Sequence, residues 1–104
     1  MRMQEGFVVL SSAVGSAAKA GEIARALVSA RQAALGGERD AEVLRRLIRD
    51  RVGQEPRLQL DYASIADAAT MEELRTITPE ALALVAAPLG RTRLLDNMRL
   101  MAPG

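Results

Sequence analysis

The chain contains neither histidine nor cysteine. Their absence excludes a structural zinc site, a disulfide framework, a thiol nucleophile and any histidine-based triad. A bound metal would need oxygen ligands alone, and no Asp/Glu group has calcium-loop spacing, so no metal site is expected. Tryptophan is also missing, and Phe7 and Tyr62 are the whole aromatic complement. With a net charge of only +1, the chain has neither the basic surplus nor the stacking platform of a nucleic-acid binder. No apolar stretch is long enough to span a bilayer. The apolar run at residues 7–10 follows Glu5 and is too short for a secretory leader, so a cytoplasmic location is expected. Lysine occurs once, at Lys19, against thirteen arginines. A Schiff-base role for Lys19 would need a desolvated pocket, to which nothing in the sequence points. Catalysis would have to rest on carboxylates, Ser/Thr hydroxyls, Tyr62 or arginines.

What is present suffices for one domain over residues 1–104, with 49% hydrophobic residues and no internal repeat or linker. Residues 6–10 suggest a short strand, with a turn at Gln4-Glu5-Gly6. Ser11, Ser12 and Ser16 offer caps for a first helix running to about Leu35, closed by Gly36-Gly37. Its stripe is Ala20, Ile23, Ala24, Leu27, Ala30, Ala34 and Leu35. A second helix from about Asp40 to Val52 carries Val43, Leu44, Leu47 and Ile48 on its apolar side. Its arginines 45, 46, 49 and 51 read better as a solvated face, interleaved with Glu42 and Asp50, than as a phosphate patch. Gly53 and Pro56 end it.

From residue 57 the period changes to two, which predicts a strand over 57–64. Leu58, Leu60, Tyr62 and Ser64 share one face, and Gln59, Asp61, Ala63 and Ile65 the other. Residues 67–74 form a polar connector. Residues 81–101 are organised as an apolar run, a Pro88-Leu89-Gly90 break and a second run. Periodicity alone leaves helix and strand open there.

Several side chains are candidates for chemistry. Ser11 and Ser12 can hold a phosphate or simply cap the helix. If residues 92–99 form a strand, Asp96 shares a row with Thr92, Leu94, Met98 and Leu100. Its carboxylate then needs donors from an arginine or backbone amides. Asp96 is thus a structural anchor or, on the sharper reading, a catalytic acid/base. Arg93 and Asn97 fall on the opposite row and read as strand-edge hydrogen bonders. Tyr62 reads as core packing with a satisfied hydroxyl, with a catalytic role as the alternative.

Three segments resemble, in order, the carboxy-terminal part of pantothenate synthetases (pantoate–β-alanine ligases). Residues 84–97, LVAAPLGRTRLLDN, are similar to the family's L-V-A-A-R-x-G-x-T-R-L-I-D-N. Residues 60–71, LDYASIADAATM, resemble V-D-Y-x-x-L-x-D-x-x-T-L. Residues 6–12, GFVVLSS, resemble the start of G-L-A-M-S-S-R-N. The resemblance covers nearly the whole chain and tips residues 81–87 to strand. It implies the family's smaller lid domain, without the nucleotide-binding first domain that carries an H-x-G-H motif. In that family the Ser-Ser-Arg-Asn segment approaches the ATP phosphates. Here Ser11 and Ser12 match the serines, but Ala13-Val14 stand where Arg-Asn should follow.

The expected fold is α+β: a small antiparallel sheet, with strands near 6–10, 57–64, 81–87 and 92–99, and two amphipathic helices on one face. The expected function is that of a pantothenate synthetase lid-like protein, not a ligase alone, which uses ATP and magnesium only within a complete ligase. The alternatives are a repurposed accessory enzyme acting on a carrier-bound or amide-type intermediate, and a non-catalytic scaffolding subunit. A lid-derived layer leaves a face open, which predicts a homodimer or a complex with a separate protein.

Overall fold

The computed structural model describes residues 14–55, 58–89 and 92–101. Two helices, α1 (Val14–Leu35) and α2 (Ala41–Gly53), precede three strands, β1 (Tyr62–Asp67), β2 (Ala81–Leu89) and β3 (Thr92–Arg99). The sheet is antiparallel in the order β1-β2-β3. The class is α+β, as expected from the sequence; the strand expected at 6–10 lies outside the described residues.

Alanine and leucine make α1 a good helix former, and its buried side is Ile23, Ala26, Leu27, Ala30 and Ala34. Leu35, expected in that stripe, is instead exposed, because the helix ends there and turns outward. Gly37 adopts a positive φ of 120°, so the Glu38 N–H can reach back to the Ala33 carbonyl at 3.0 Å and the Gly37 N–H to Ala34 at 3.1 Å. This pair of hydrogen bonds satisfies the orphan carbonyls of the last turn. Asp40 then caps α2, its carboxylate accepting from the Glu42 N–H at 2.9 Å. The buried side of α2 is Ala41, Leu44, Ile48 and Val52. Val43, placed in the stripe by the sequence reading, is 40% exposed.

The helices pack on each other and on one face of the sheet, α1 over β3 and α2 over β1. That face presents Ala63 and Ile65 from β1, Ala81, Ala83, Val85 and Ala87 from β2, and Leu94 from β3. Small residues along the central strand let the helix layer sit close. Thr78-Pro79-Glu80 forms a turn, with the Ala81 N–H donating to the Thr78 carbonyl at 2.9 Å, and leads directly into β2. The break expected at Pro88 does not occur there, since β2 runs on to Leu89. β1 pairs only with residues 81–86, so the missing N–H of Pro88 falls where β2 has a partner on one side alone.

β1 begins five residues later than the sequence period suggests. The Leu58 N–H donates to Glu55 at 3.0 Å, which places residues 58–60 before the strand. Leu58 is buried and Leu60 packs against the core from there. Within the strand it is Ala63 and Ile65 that face the helices, and Tyr62 lies on the other side, 48% exposed. The expectation of a core tyrosine is therefore corrected.

Candidate functional site

The candidate residues separate into groups that the fold does not unite. Asp96 stands on the helix-facing side of β3, opposite Val85. It is half-buried, and its Oδ1 accepts from the Asn97 N–H at 2.9 Å. A backbone amide is thus one of its donors, as a carboxylate beside apolar neighbours requires. Tyr62 is two strands away on the outer side, opposite Ala86. The two weak candidates for catalysis share no site. Arg93 and Asn97 lie on the outer row with Leu95, and the Arg93 Nη2 pairs with the Asp61 Oδ2 at 2.7 Å. Ser11 and Ser12 lie outside the described residues; α1 opens two positions after Ser12, at Val14.

The best-connected polar cluster is one that the sequence reading misses. Glu73, on the connector after β1, receives Arg45 Nε from α2 at 2.6 Å and the Ile65 N–H at 3.0 Å. The Ser64 hydroxyl donates to its other oxygen. Arg45 also holds Glu42 at 2.9 Å and donates to the Leu74 carbonyl. Burial alone would raise the Glu73 pKa, but the donors from Ser64, Ile65 and Arg45 outweigh it and hold the carboxyl below its ordinary range. With its donors and acceptors matched in this way, the cluster is a clamp tying α2 to β1. Asp67, whose pKa is also lowered, takes the Thr70 and Ala69 N–H groups at 3.0 and 2.8 Å and shapes the turn after β1.

The other arginines of α2 behave as a helix face. Arg46 pairs with Glu42 at 3.6 Å, and Arg51 reaches the Ser29 hydroxyl at 3.3 Å. Among the described residues, no group of three or more acidic, His or Cys side chains is placed to hold a metal ion. No described helix is long and apolar enough to cross a membrane.

The sequence profile of the family described as Pantoate-beta-alanine ligase matches residues 8–99. The chain belongs to that family. The pantothenate synthetase of Herpetosiphon aurantiacus is 44% identical over 75 residues, covering 71% of this chain and 27% of the relative. That of Syntrophotalea carbinolica is 39% identical over 101 residues, 93% of this chain and 36% of the relative. The chain thus spans about a third of the length of the curated relatives it matches. Among solved structures, the pantothenate synthetase of Thermus thermophilus superposes with a TM-score of 0.77 at 28% identity, over 88% of this chain and 33% of that one. The region matched to the ligase family includes Arg45, Asp61, Glu73 and Arg93 as well as the motif segments.

Proposed function

We propose that this chain supplies the closing, lid-like part of a pantoate–β-alanine ligase and depends on a nucleotide-binding part to join pantoate to β-alanine. The observation that carries the reading is the match to one contiguous third of full-length pantothenate synthetases, by sequence over 93% of the chain and by fold over 88%. Nothing in the described residues resembles a reaction centre. Asp96 and Tyr62 stand on opposite sides of the sheet, and the polar clusters are internally satisfied.

The family resemblance implies ATP and magnesium for the complete ligase, and among the described residues no group of three or more acidic side chains is placed to hold a metal ion. Arg45, the part-buried guanidinium, is fully engaged. Ala13-Val14 replace the arginine expected after the serines. On this reading the nucleotide belongs to the other part, and this chain contributes enclosure, with Ser11 and Ser12 matching the family's serines in sequence. A cytoplasmic setting follows from this reading.

Titration calorimetry of the chain with ATP and magnesium is expected to give no heat. Co-expression with the unmatched part of the Herpetosiphon aurantiacus enzyme is expected to raise its pantoate- and β-alanine-dependent ATP consumption above that of this part alone. ATP binding by the isolated chain, or no gain on co-expression, overturns the proposal.

A further inference from the structure

Each edge of a sheet presents backbone amides and carbonyls that something must cover. The edge of β3 is blunted: the Asp96 carboxylate takes the Asn97 N–H, and Arg31 of α1 donates to the Arg99 carbonyl at 3.0 Å. The edge of β1 is covered only over its second half. There the Leu74 N–H donates to the Ile65 carbonyl at 2.8 Å, and the Asp67 N–H to the Glu72 carbonyl at 2.9 Å. The Ile65 N–H donates to the Glu73 carboxylate at 3.0 Å. Ile65 and Asp67 therefore turn their backbone groups away from β2. That direction alternates along an antiparallel strand, so Ala63, two positions before Ile65, turns its N–H and C=O the same way. The backbone bonds from residues 72–74 stop at Ile65, and among the described residues nothing bonds to either group of Ala63. Ala63 is only 5% exposed, so it carries a donor and an acceptor that are shielded from water and unmatched.

We infer that this stretch of the β1 edge receives an extended peptide segment as an added strand, with an acidic side chain turned toward α2 and apolar ones toward the outer side of the sheet. The edge is lined by two recesses. One includes Ala63, Met71 and Leu84, and the next continues past Asp61 to Leu58. Arg49 and Tyr62 line both, which makes them one groove.

The two walls of the groove differ. Arg49, on the α2 side, is exposed and has no ion-pair partner among the described residues, whereas Arg45 and Arg46 of the same helix hold carboxylates. Two carboxylates border the groove, and both are taken: Glu73 faces Arg45 and Asp61 faces Arg93. Arg49 is thus the charge left for a partner. On the outer side, Tyr62 and Leu84 offer apolar surface, Tyr62 being 48% exposed. An added strand sends successive side chains to opposite walls, which gives the order apolar, acidic, apolar. Its main chain supplies the N–H and C=O that Ala63 lacks, in line with the cover already provided by residues 72–74. A second copy of the chain does not match this groove. Laying β1 against β1 about a two-fold axis puts both α2 helices on one side of the joined sheet, with Arg49 toward the partner's Arg49. The inference is independent of the ligase reading, because the edge belongs to the chain by itself.

Amide-resolved NMR of the full chain tests it, with a blocked hexapeptide of alternating valine and glutamate added up to about 1 mM. The Ala63 amide proton is expected to shift downfield and to saturate. The same peptide with lysine in place of glutamate is expected to bind at least about tenfold more weakly. A peptide methylated on every backbone nitrogen keeps its side chains but cannot pair, and is expected not to bind. Arg49→Glu, with unchanged circular dichroism, is expected to reverse the preference and favour the lysine peptide. No saturating shift at Ala63 overturns the inference, as does equal binding of the acidic, basic and methylated peptides. Acetate producing the same shift at the same concentration would identify a site for a small anion alone and overturn it. So would an Ala63 shift that grows with chain concentration and no peptide, the mark of two copies meeting at this edge.

Discussion

Glu73 shows how a side chain without catalytic surroundings acquires a depressed pKa. It spends its oxygens on three donors that exist together only in the folded chain, and so binds a proton less readily than in the unfolded state. Asp67 behaves likewise through the Thr70 and Ala69 amides. Because both folded pKa values lie below the unfolded ones, their contribution is complete above the ordinary values of 3.8 and 4.5. It is lost as pH falls through the folded values. Glu73→Gln is expected to cost about 1 kcal/mol at neutral pH, a figure kept small because the side chain is half-exposed. In urea melts from neutral to acid pH the deficit should shrink toward zero on the acid side; a constant deficit would show that the carboxylate's charge plays no part. Met71 is the other residue with a distinct local cost, a non-glycine side chain at φ 64° and 56% exposed. Met71→Asn, which accepts that conformation more readily, is expected to gain about 0.5 kcal/mol in the same melts.

At the scale of elements, the two helices, β2 and β3 are legible in the sequence and the details of their faces less so. Asp40, the Gly36-Gly37 pair and the apolar run at 81–87 are local signals that fix ends and types. The choice of strand for 81–87 rests on family resemblance, since alanine and leucine suit either state. Which side of α2 is buried depends on where the sheet lies, and the sequence stripe is rotated toward Val43 for that reason. Leu44→Ala is expected to lose about 3 kcal/mol and Val43→Ala less than about 0.5 kcal/mol. Similar losses for both in chemical denaturation would mean that the helix packs as the stripe alone suggests. Tyr62 is misplaced through a similar gap in local information: alternation counted from residue 57 runs through a turn, whereas the strand starts only at Tyr62. The Arg45–Glu73 clamp joins residues 28 apart in sequence, and no local pattern announces such a pairing.

For the whole molecule, the family can be read from three short segments, whereas the division of labour cannot. A chain about a third as long as its relatives has, among its described residues, a continuous core from Ile23 to Leu100 and a clamp that holds helix to sheet. The blunted edge of β3 has a further consequence. Exposed strand edges can pair side by side without limit, one chain offering the next a row of amides and carbonyls. Where the Asn97 amide and the Arg99 carbonyl are already engaged, that end of β3 offers fewer groups for such pairing. Lateral growth along this edge is thus opposed by an aspartate and an arginine, one local to the strand and one reaching across from α1.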